Sequence, residues 1–373
     1  MNDSASATVA QRQAAGSVVA GWPALLVAAL VVGGAVYSFS PRQPPAFPDT
    51  QVYPERLLVN GVDRAGERFV AVGEQGQILV ADGAAGPWRS VAPAPQRGST
   101  LTRVRFIDEQ RVLAVGHDGW ILLSEDRGDS WQEVAYSEGS DPLLGVSGLI
   151  GDRVFAYGAF GLMRVSQDRG RSWQPYELDI VTPETTEDEA AAPEEALDPY
   201  ADPFAAFEAQ AFSGQRHING MTVAADGSLI LVGERGLLLR STDDGQSWTE
   251  LPSVYDGSLF GALSLPSGTL IVFGMRGHAY RSDDLGQTWT ESRLPGGESL
   301  FGGSVDDQGR ALLVGAAGTL LRSGDDGRSF QQVAAPTRSG IVTIEPLASG
   351  GWLTGGEGGL VIKQPQAAAG DAS

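Results

Sequence analysis

Short apolar runs paired across a glycine turn recur along most of the chain. In Ile230-Leu-Val-Gly233-Glu-Arg-Gly236-Leu-Leu-Leu, one apolar run leads into Gly-x-x-Gly and a second leads out. Runs this short, rich in branched residues and joined by glycines, read as two strands of a β-hairpin. The first glycine of the turn falls at Gly73, Gly116, Gly158, Gly233, Gly274, Gly315 and Gly356, at intervals of 43, 42, 75, 41, 41 and 41 residues. A period of about 42 accommodates four short strands and their turns, the content of one propeller blade. The spacing predicts an all-β fold, a seven-bladed β-propeller of four-stranded antiparallel blades.

An inner strand precedes each hairpin, visible as Leu259-Phe-Gly261-Ala-Leu-Ser-Leu and Leu300-Phe-Gly302-Gly-Ser-Val. After the hairpin comes Ser-x-Asp-x-Gly-x-Ser/Thr-Trp/Phe, with its acids at Asp126, Asp168, Asp243, Asp284 and Asp325 and its aromatics at Trp131, Trp173, Trp248, Trp289 and Phe330. The Asp suits a tight turn because it bonds backbone N–H groups; the glycine supplies φ > 0, and the aromatic anchors the fourth strand. Blade one keeps its aromatic, Trp88, but loses the box. Blade seven ends near Lys363, and the ten residues after it do not suit a fourth strand. An open blade exposes strand edges, so the stretch around Asp49-Thr-Gln-Val-Tyr53 is expected to supply the missing strand.

One ring consumes most of the 373 residues, so a single propeller domain is expected at 49–363, with a disordered tail at 364–373. The absence of cysteine removes disulfides and thiolate chemistry. Between Arg12 and Arg42 no residue is charged, and 17–39 is dominated by Val, Ala, Leu and Gly. As helix that stretch extends roughly 34 Å against a hydrocarbon core of about 30 Å, so a transmembrane signal anchor is expected at 17–39, behind a tail at 1–16. A cleavable signal peptide is the competing reading. The apolar stretch exceeds an ordinary signal core, and Ser38-Phe39-Ser40 runs into Pro41, a poor cleavage context. The Pro-rich linker at 40–48 is short and stiff and would hold the ring near the bilayer. The expected location is the inner membrane, crossed once, with the propeller on the periplasmic side and a membrane-embedded or membrane-proximal partner.

Charge is unevenly spread. Forty-six acids against 26 bases give a net charge of −20, and residues 174–213 hold eleven acids and no base. They fall in the 75-residue interval, which marks an acidic insertion at about 178–212. Its middle has the composition of a solvated loop, whereas Asp202-Pro203-Phe204 offers a helix start with Phe204 and Phe207 on one face. Either the insertion is solvated surface, or Phe204, Phe207 and Phe212 form a docking element. Propeller topology puts the Gly-x-x-Gly turns and the blade-to-blade crossings on one face and the box turns on the other. Arg235 and Arg276 fall in the turns; Arg97, Arg216, Arg293 and Arg338 fall in the crossings. These six are the candidate binding residues, on the face where the insertion is expected to emerge and compete for ligand. Scattered solvated arginines are the plain alternative. Arg240, Arg281 and Arg322, with Lys363, recur at one strand position and are assigned to structure.

Excess acid argues against nucleic acid as a partner. His117, His217 and His278 are the only histidines and form no ligand pair, so no metal and no cofactor is expected. The boxes resemble the Asp boxes of bacterial neuraminidase (BNR) repeats, a sialidase superfamily feature found in other glycosidases too. Retaining sialidases use a tyrosine nucleophile. Ser292-Arg293-Leu294-Pro295 is similar to that family's Arg-x-Pro segment but follows the last strand of blade five, and no spacing links Tyr255 and Glu345 to the arginines. No catalytic residue is assigned; a sialidase-like glycosidase or glycan-binding propeller is the alternative function.

The full repeat Val-Gly-x-x-Gly-x-Leu-Leu-Arg-Ser-x-Asp-x-Gly-x-Ser-Trp, seen at 232–248 and, with a terminal Phe, at 314–330, resembles the photosystem II stability/assembly factor family over about residues 50–363. The resemblance implies a non-enzymatic assembly chaperone that docks membrane subunits through an arginine-rich face. Bacterial members outside photosynthesis look like accessory factors of membrane complexes, efflux-type exporters among them. The apolar anchor and the acidic insertion depart from the family pattern. The expected function is a membrane-tethered protein-binding or assembly factor for a membrane protein complex.

Overall fold

The computed structural model describes residues 22–39, 52–181, 216–333 and 338–364. The chain divides into two compact units, Met1–Gln51 and Val52–Ser373. The described part of the first is one helix, Trp22–Phe39, of 18 residues and without charge. At 1.5 Å per residue it extends about 27 Å, shorter than the 17–39 helix expected, and residues 17–21 lie outside the described residues. Among the described residues no helix is long and apolar enough to cross a membrane.

The second unit is a seven-bladed antiparallel propeller. Blade one runs from the axis outward as Val59–Ala65, Arg68–Gly73, Ile78–Asp82 and Arg89–Val91, and blades two, three, five and six repeat that order. Blade one forms its fourth strand without a box, with Trp88 packed edge-on against Phe69. Blade four gains a fifth strand, Ile180–Val181, which lies parallel to Trp248–Glu250 at the outer edge. This pair opens the acidic interval, so the insertion begins as an added strand; Phe204, Phe207 and Phe212 lie outside the described residues.

One close approach is repeated in every blade. The first glycine of each turn lies against the carbonyl of the residue that leads into its own inner strand. A Cβ would stand 2.1 Å from that oxygen at Gly73, Gly116, Gly158, Gly233, Gly274 and Gly356, and 2.0 Å at Gly315. At Gly73 and Gly116 the backbone is extended, with φ of −160° and −172°, so contact and not conformation demands glycine there. A second set sits one residue pair lower on the inner strands, at Gly61, Gly145, Gly220, Gly261 and Gly302. There a Cβ on Gly220 would meet the Gly261 backbone at 3.1 Å, and one on Gly302 the Val342 carbonyl at 2.3 Å. Missing side chains are what let inner strands of neighbouring blades converge.

The five boxes are built alike at the opposite end. Ser124 Oγ donates to Asp126 Oδ1 at 2.8 Å and accepts the Gly128 N–H at 2.7 Å; Asp126 accepts the Ser130 N–H at 2.8 Å and the Ser130 hydroxyl at 2.6 Å. The same four bonds recur around Asp168, Asp243, Asp284 and Asp325. Trp131, Trp173 and Trp289 donate back to the box glycine carbonyl, whereas Trp248 donates to the Tyr176 hydroxyl. The box glycine also fits under the preceding blade: a Cβ on Gly245 would meet Phe155 at 2.6 Å and one on Gly327 would meet Ile271 at 2.6 Å. The core is accordingly divided into seven apolar clusters, one per blade-to-blade interface.

Among the described residues blade seven has three strands, Ile341–Pro346, Trp352–Gly356 and Val361–Lys363. Asp49, Thr50 and Gln51 lie outside the described residues, and Val52 and Tyr53 are not in a strand. The chain turns instead through Pro54–Arg56, because a proline has no N–H to give to a ladder and a fixed φ. Its carbonyl accepts the Leu360 N–H at 3.0 Å, and Val52 and Leu57 pack with Leu353 and Leu360.

Gly315→Ala is expected to cost about 2 kcal/mol or more through forced displacement of the Ser299 carbonyl. Gly324→Ala, with nothing within 4 Å of its Cβ, should stay within about 0.5 kcal/mol of the parent in denaturant unfolding. Equal effects at the two positions would contradict the steric account. In acid, the Thr288 hydroxyl and N–H hold the Asp284 carboxyl at about 2, below its ordinary 3.8, and Asp243 is held lower still by Ser247 and Ser241. Depressed carboxyls stabilise the fold above the ordinary value and lose that contribution as pH falls through the folded one. The thermal midpoint should therefore drop between about pH 4 and pH 2, and Asp284→Asn should drop less over that window.

Candidate functional site

The turns between second and third strands build the face that carries most of the candidate arginines. After the first glycine the chain makes one tight turn whose third residue is left-handed: Gln75, Asp118, Phe160, Arg235, Arg276 and Ala317 have φ between 49° and 57°. The carbonyl that excludes a Cβ on the glycine accepts the next N–H, at 2.9 Å from His117 to Thr100 and 3.0 Å from Glu234 to His217. Each turn is thereby fastened to the end of the crossing that feeds its own blade. Sequence neighbours of the crossing and of the turn become spatial neighbours for that reason.

Between blades three, four and five this arrangement encloses a groove of about 440 Å³, lined by Phe160, Arg216, His217, Arg235, Asp256 and Met275 among others. Among the described residues Phe160 is the one aromatic at a left-handed turn tip, where an L-residue is held at a cost of roughly 1–2 kcal/mol. It nevertheless stays 45% exposed. Its ring meets His217 edge-on with centroids 4.6 Å apart. Glu234 fixes His217 from the other side, accepting its backbone N–H at 3.2 Å and facing Nδ1 at 3.4 Å. A strained, exposed aromatic braced by a fixed imidazole and flanked by Arg235 suits contact with an extended apolar and acidic segment.

The six candidate arginines have different surroundings. Arg97 makes a two-pronged pair with Glu133, at 2.9 and 2.7 Å, and lies over the Tyr136 ring at 4.3 Å. That bond raises the Arg97 pKa and lowers that of Glu133, which also accepts from Trp120. Arg216 pairs with Glu250 at 3.3 Å within the groove wall. Arg235 and Arg276 stand at adjacent turn tips, and Arg338 is exposed in the crossing into blade seven. Arg293 does not join this face. Its backbone pairs in parallel with Ser329, bonding Arg328 and Phe330, at the box end of the outer edge of blade six. Arg240 and Arg281 also sit toward the box end, bound to Asp226 and to Asp283 and the Asp326 carbonyl.

Residues weighed for glycosidase chemistry do not converge. Tyr255, in the crossing into blade five, lies tilted against His278 with centroids 4.3 Å apart, while Glu345 lines the axial channel, whose lining does not include Tyr255. Among the described residues no group of His, Asp and Glu is arranged to hold a metal ion. The sequence pattern alone passes over Phe160, although its singular place among the turn tips is visible there. It also passes over Asp63, Arg103 and Arg105, which only strand register brings together at the axis.

No protein-family model matches the sequence, and no curated protein is similar to it. Solved structures share the fold. YCF48 bound to D1 peptide is 16% identical, with a TM-score of 0.60, over 87% of this chain and 100% of that one. YCF48 from Cyanidioschyzon merolae is 14% identical, with a TM-score of 0.60 over 84% and 98%. Virginiamycin B lyase from Staphylococcus aureus is 12% identical, with a TM-score of 0.64 over 84% and 96%. The likeness is one of fold, spread over binding proteins and a lyase alike. Arg97→Ala should lower the thermal unfolding midpoint, since Glu133 loses its two-pronged partner and Tyr136 its cation, whereas Arg276→Ala should leave it unchanged. Scanning fluorimetry of both variants checks the distinction, and the opposite order would contradict it.

Proposed function

We propose that this chain is a non-enzymatic docking and assembly factor for a membrane protein complex, held in the inner membrane by its N-terminal apolar segment with the propeller in the periplasm. The groove at Phe160, His217 and Arg235 receives an extended segment of the partner. The observation that carries this reading is the exposed Phe160, held left-handed at a turn tip beside cationic side chains in a groove of about 440 Å³. A surface residue kept in a costly conformation, with its ring left to solvent, fits a contact made with another molecule. Support from another fold member comes from YCF48, solved bound to D1 peptide. An exporter-type complex is one candidate partner class, consistent with a tether that keeps the ring near the bilayer.

The test is crosslinking and affinity recovery from membranes, using the full chain and the Phe160→Ala/Arg235→Ala double variant. The parent should recover an integral membrane protein, and the double variant about tenfold less of it at equal expression. Recovery of no membrane protein, or equal recovery by both, would contradict the proposal.

A further inference from the structure

The seven inner strands surround an axial cavity of about 510 Å³, within the range of small-molecule sites. Its wall is chemically lopsided. Asp63, Arg105 and Glu345 occupy the same register on blades one, two and seven, each paired three residues before the first turn glycine. Arg103 lines the cavity one step nearer the turn face, and Arg64 follows Asp63. Across the cavity the equivalent positions carry Thr222, Leu263 and Ser304, while Ser147 beside the charged arc donates to the Gly148 carbonyl and accepts the Phe155 N–H. Glycines at the waist, Gly220, Gly261 and Gly302, keep that side open.

The charges meet as loose ion pairs, longer than hydrogen bonds. Arg105 Nε is 4.0 Å from Asp63 Oδ2, and Arg64 Nε is 3.9 Å from Glu345 Oε2. Asp63 does accept a hydrogen bond, from the Phe106 N–H at 2.6 Å. Arg103 and Arg105 thus share the lining with Asp63 and Glu345, and at 4.0 Å Arg105 pairs with Asp63 without a hydrogen bond, which leaves guanidinium donors for the cavity. We propose that the axial cavity is a binding site for a small hydroxylated organic anion, its carboxylate taken by Arg103 and Arg105 and its hydroxyls by Thr222 and Ser304. Guanidinium forks match a carboxylate in two-point geometry, and hydroxyl side chains on the facing wall match ligand hydroxyls.

Protonation strengthens the case. Burial, and then the neighbouring Asp63 charge, push the Glu345 carboxyl up to about 8, while burial also raises Asp63 against the opposing pull of Arg105 and the Phe106 N–H. The titratable and charged groups facing Glu345 are Asp63 and Arg64 on blade one and Arg103 and Arg105 on blade two; Tyr157 on blade three is held neutral by burial. At neutral pH the wall is then net cationic. As pH rises past that value Glu345 ionises and the attraction for an anion falls.

Calorimetric titration of the full chain with D-galacturonate, L-malate and glycerate tests the site, with D-galactose and inorganic phosphate as controls. At least one hydroxy acid should bind with unit stoichiometry, and about tenfold more weakly to Arg103→Gln, while Arg276→Ala binds as the parent does. Affinity should fall between pH 7 and pH 9 in the parent, and that fall should be smaller in Glu345→Gln. Absence of binding by all three acids at millimolar concentration would overturn the proposal. So would binding unaffected in a folded Arg103→Gln, or galactose or phosphate binding as tightly as the best acid.

Discussion

Seven carbonyl oxygens stand where a Cβ would be if the first turn residue were anything but glycine. That single steric condition fastens the second strand of each blade to the chain entering its inner strand. Because it repeats at every blade, every crossing ends at a fixed place beside a left-handed turn tip. The waist glycines extend the same logic to the axis, where neighbouring inner strands approach backbone to backbone. Apolar packing fills the seven interfaces, but the glycines decide how close the blades come.

The two ends of the ring follow from this condition and have opposite character. At one end, Asp carboxylates are consumed by backbone and hydroxyl donors within their own turns, and nearby arginines by acids and carbonyls. These groups are spent on holding the outer strands. At the other end, tight turns force their third residues into a conformation that pushes side chains outward, and the chain places Phe160, Arg235 and Arg276 there. The axis is a third environment, where charges meet as loose ion pairs longer than a hydrogen bond.

Much of this was legible in the sequence because a propeller writes its geometry as a period. Gly73 to Gly356 marked seven blades, and the Ser-x-Asp-x-Gly spacing foretold bonds found around all five Asp residues. Closure was less legible: of the stretch expected to supply a strand only Val52 and Tyr53 are described, outside any strand, and Pro54 after them accepts the Leu360 N–H. Arg293 counted as a crossing residue, yet a crossing first runs along the next outer strand, so a position early in it lies at the box end. Arg97 looked free in sequence because its partner, Glu133, belongs to the next blade. Asp63, Arg105 and Glu345 share a site only through register, which no local pattern records.

The central claim is that function resides on the turn face of blades three to five rather than on the box face. Photo-crosslinking in intact membranes tests it directly, with a benzophenone amino acid placed at position 160, at position 276 or, on the box face, at position 326. The account predicts adducts with one integral membrane protein from positions 160 and 276 and none from 326. Adducts from 326 alone would contradict it.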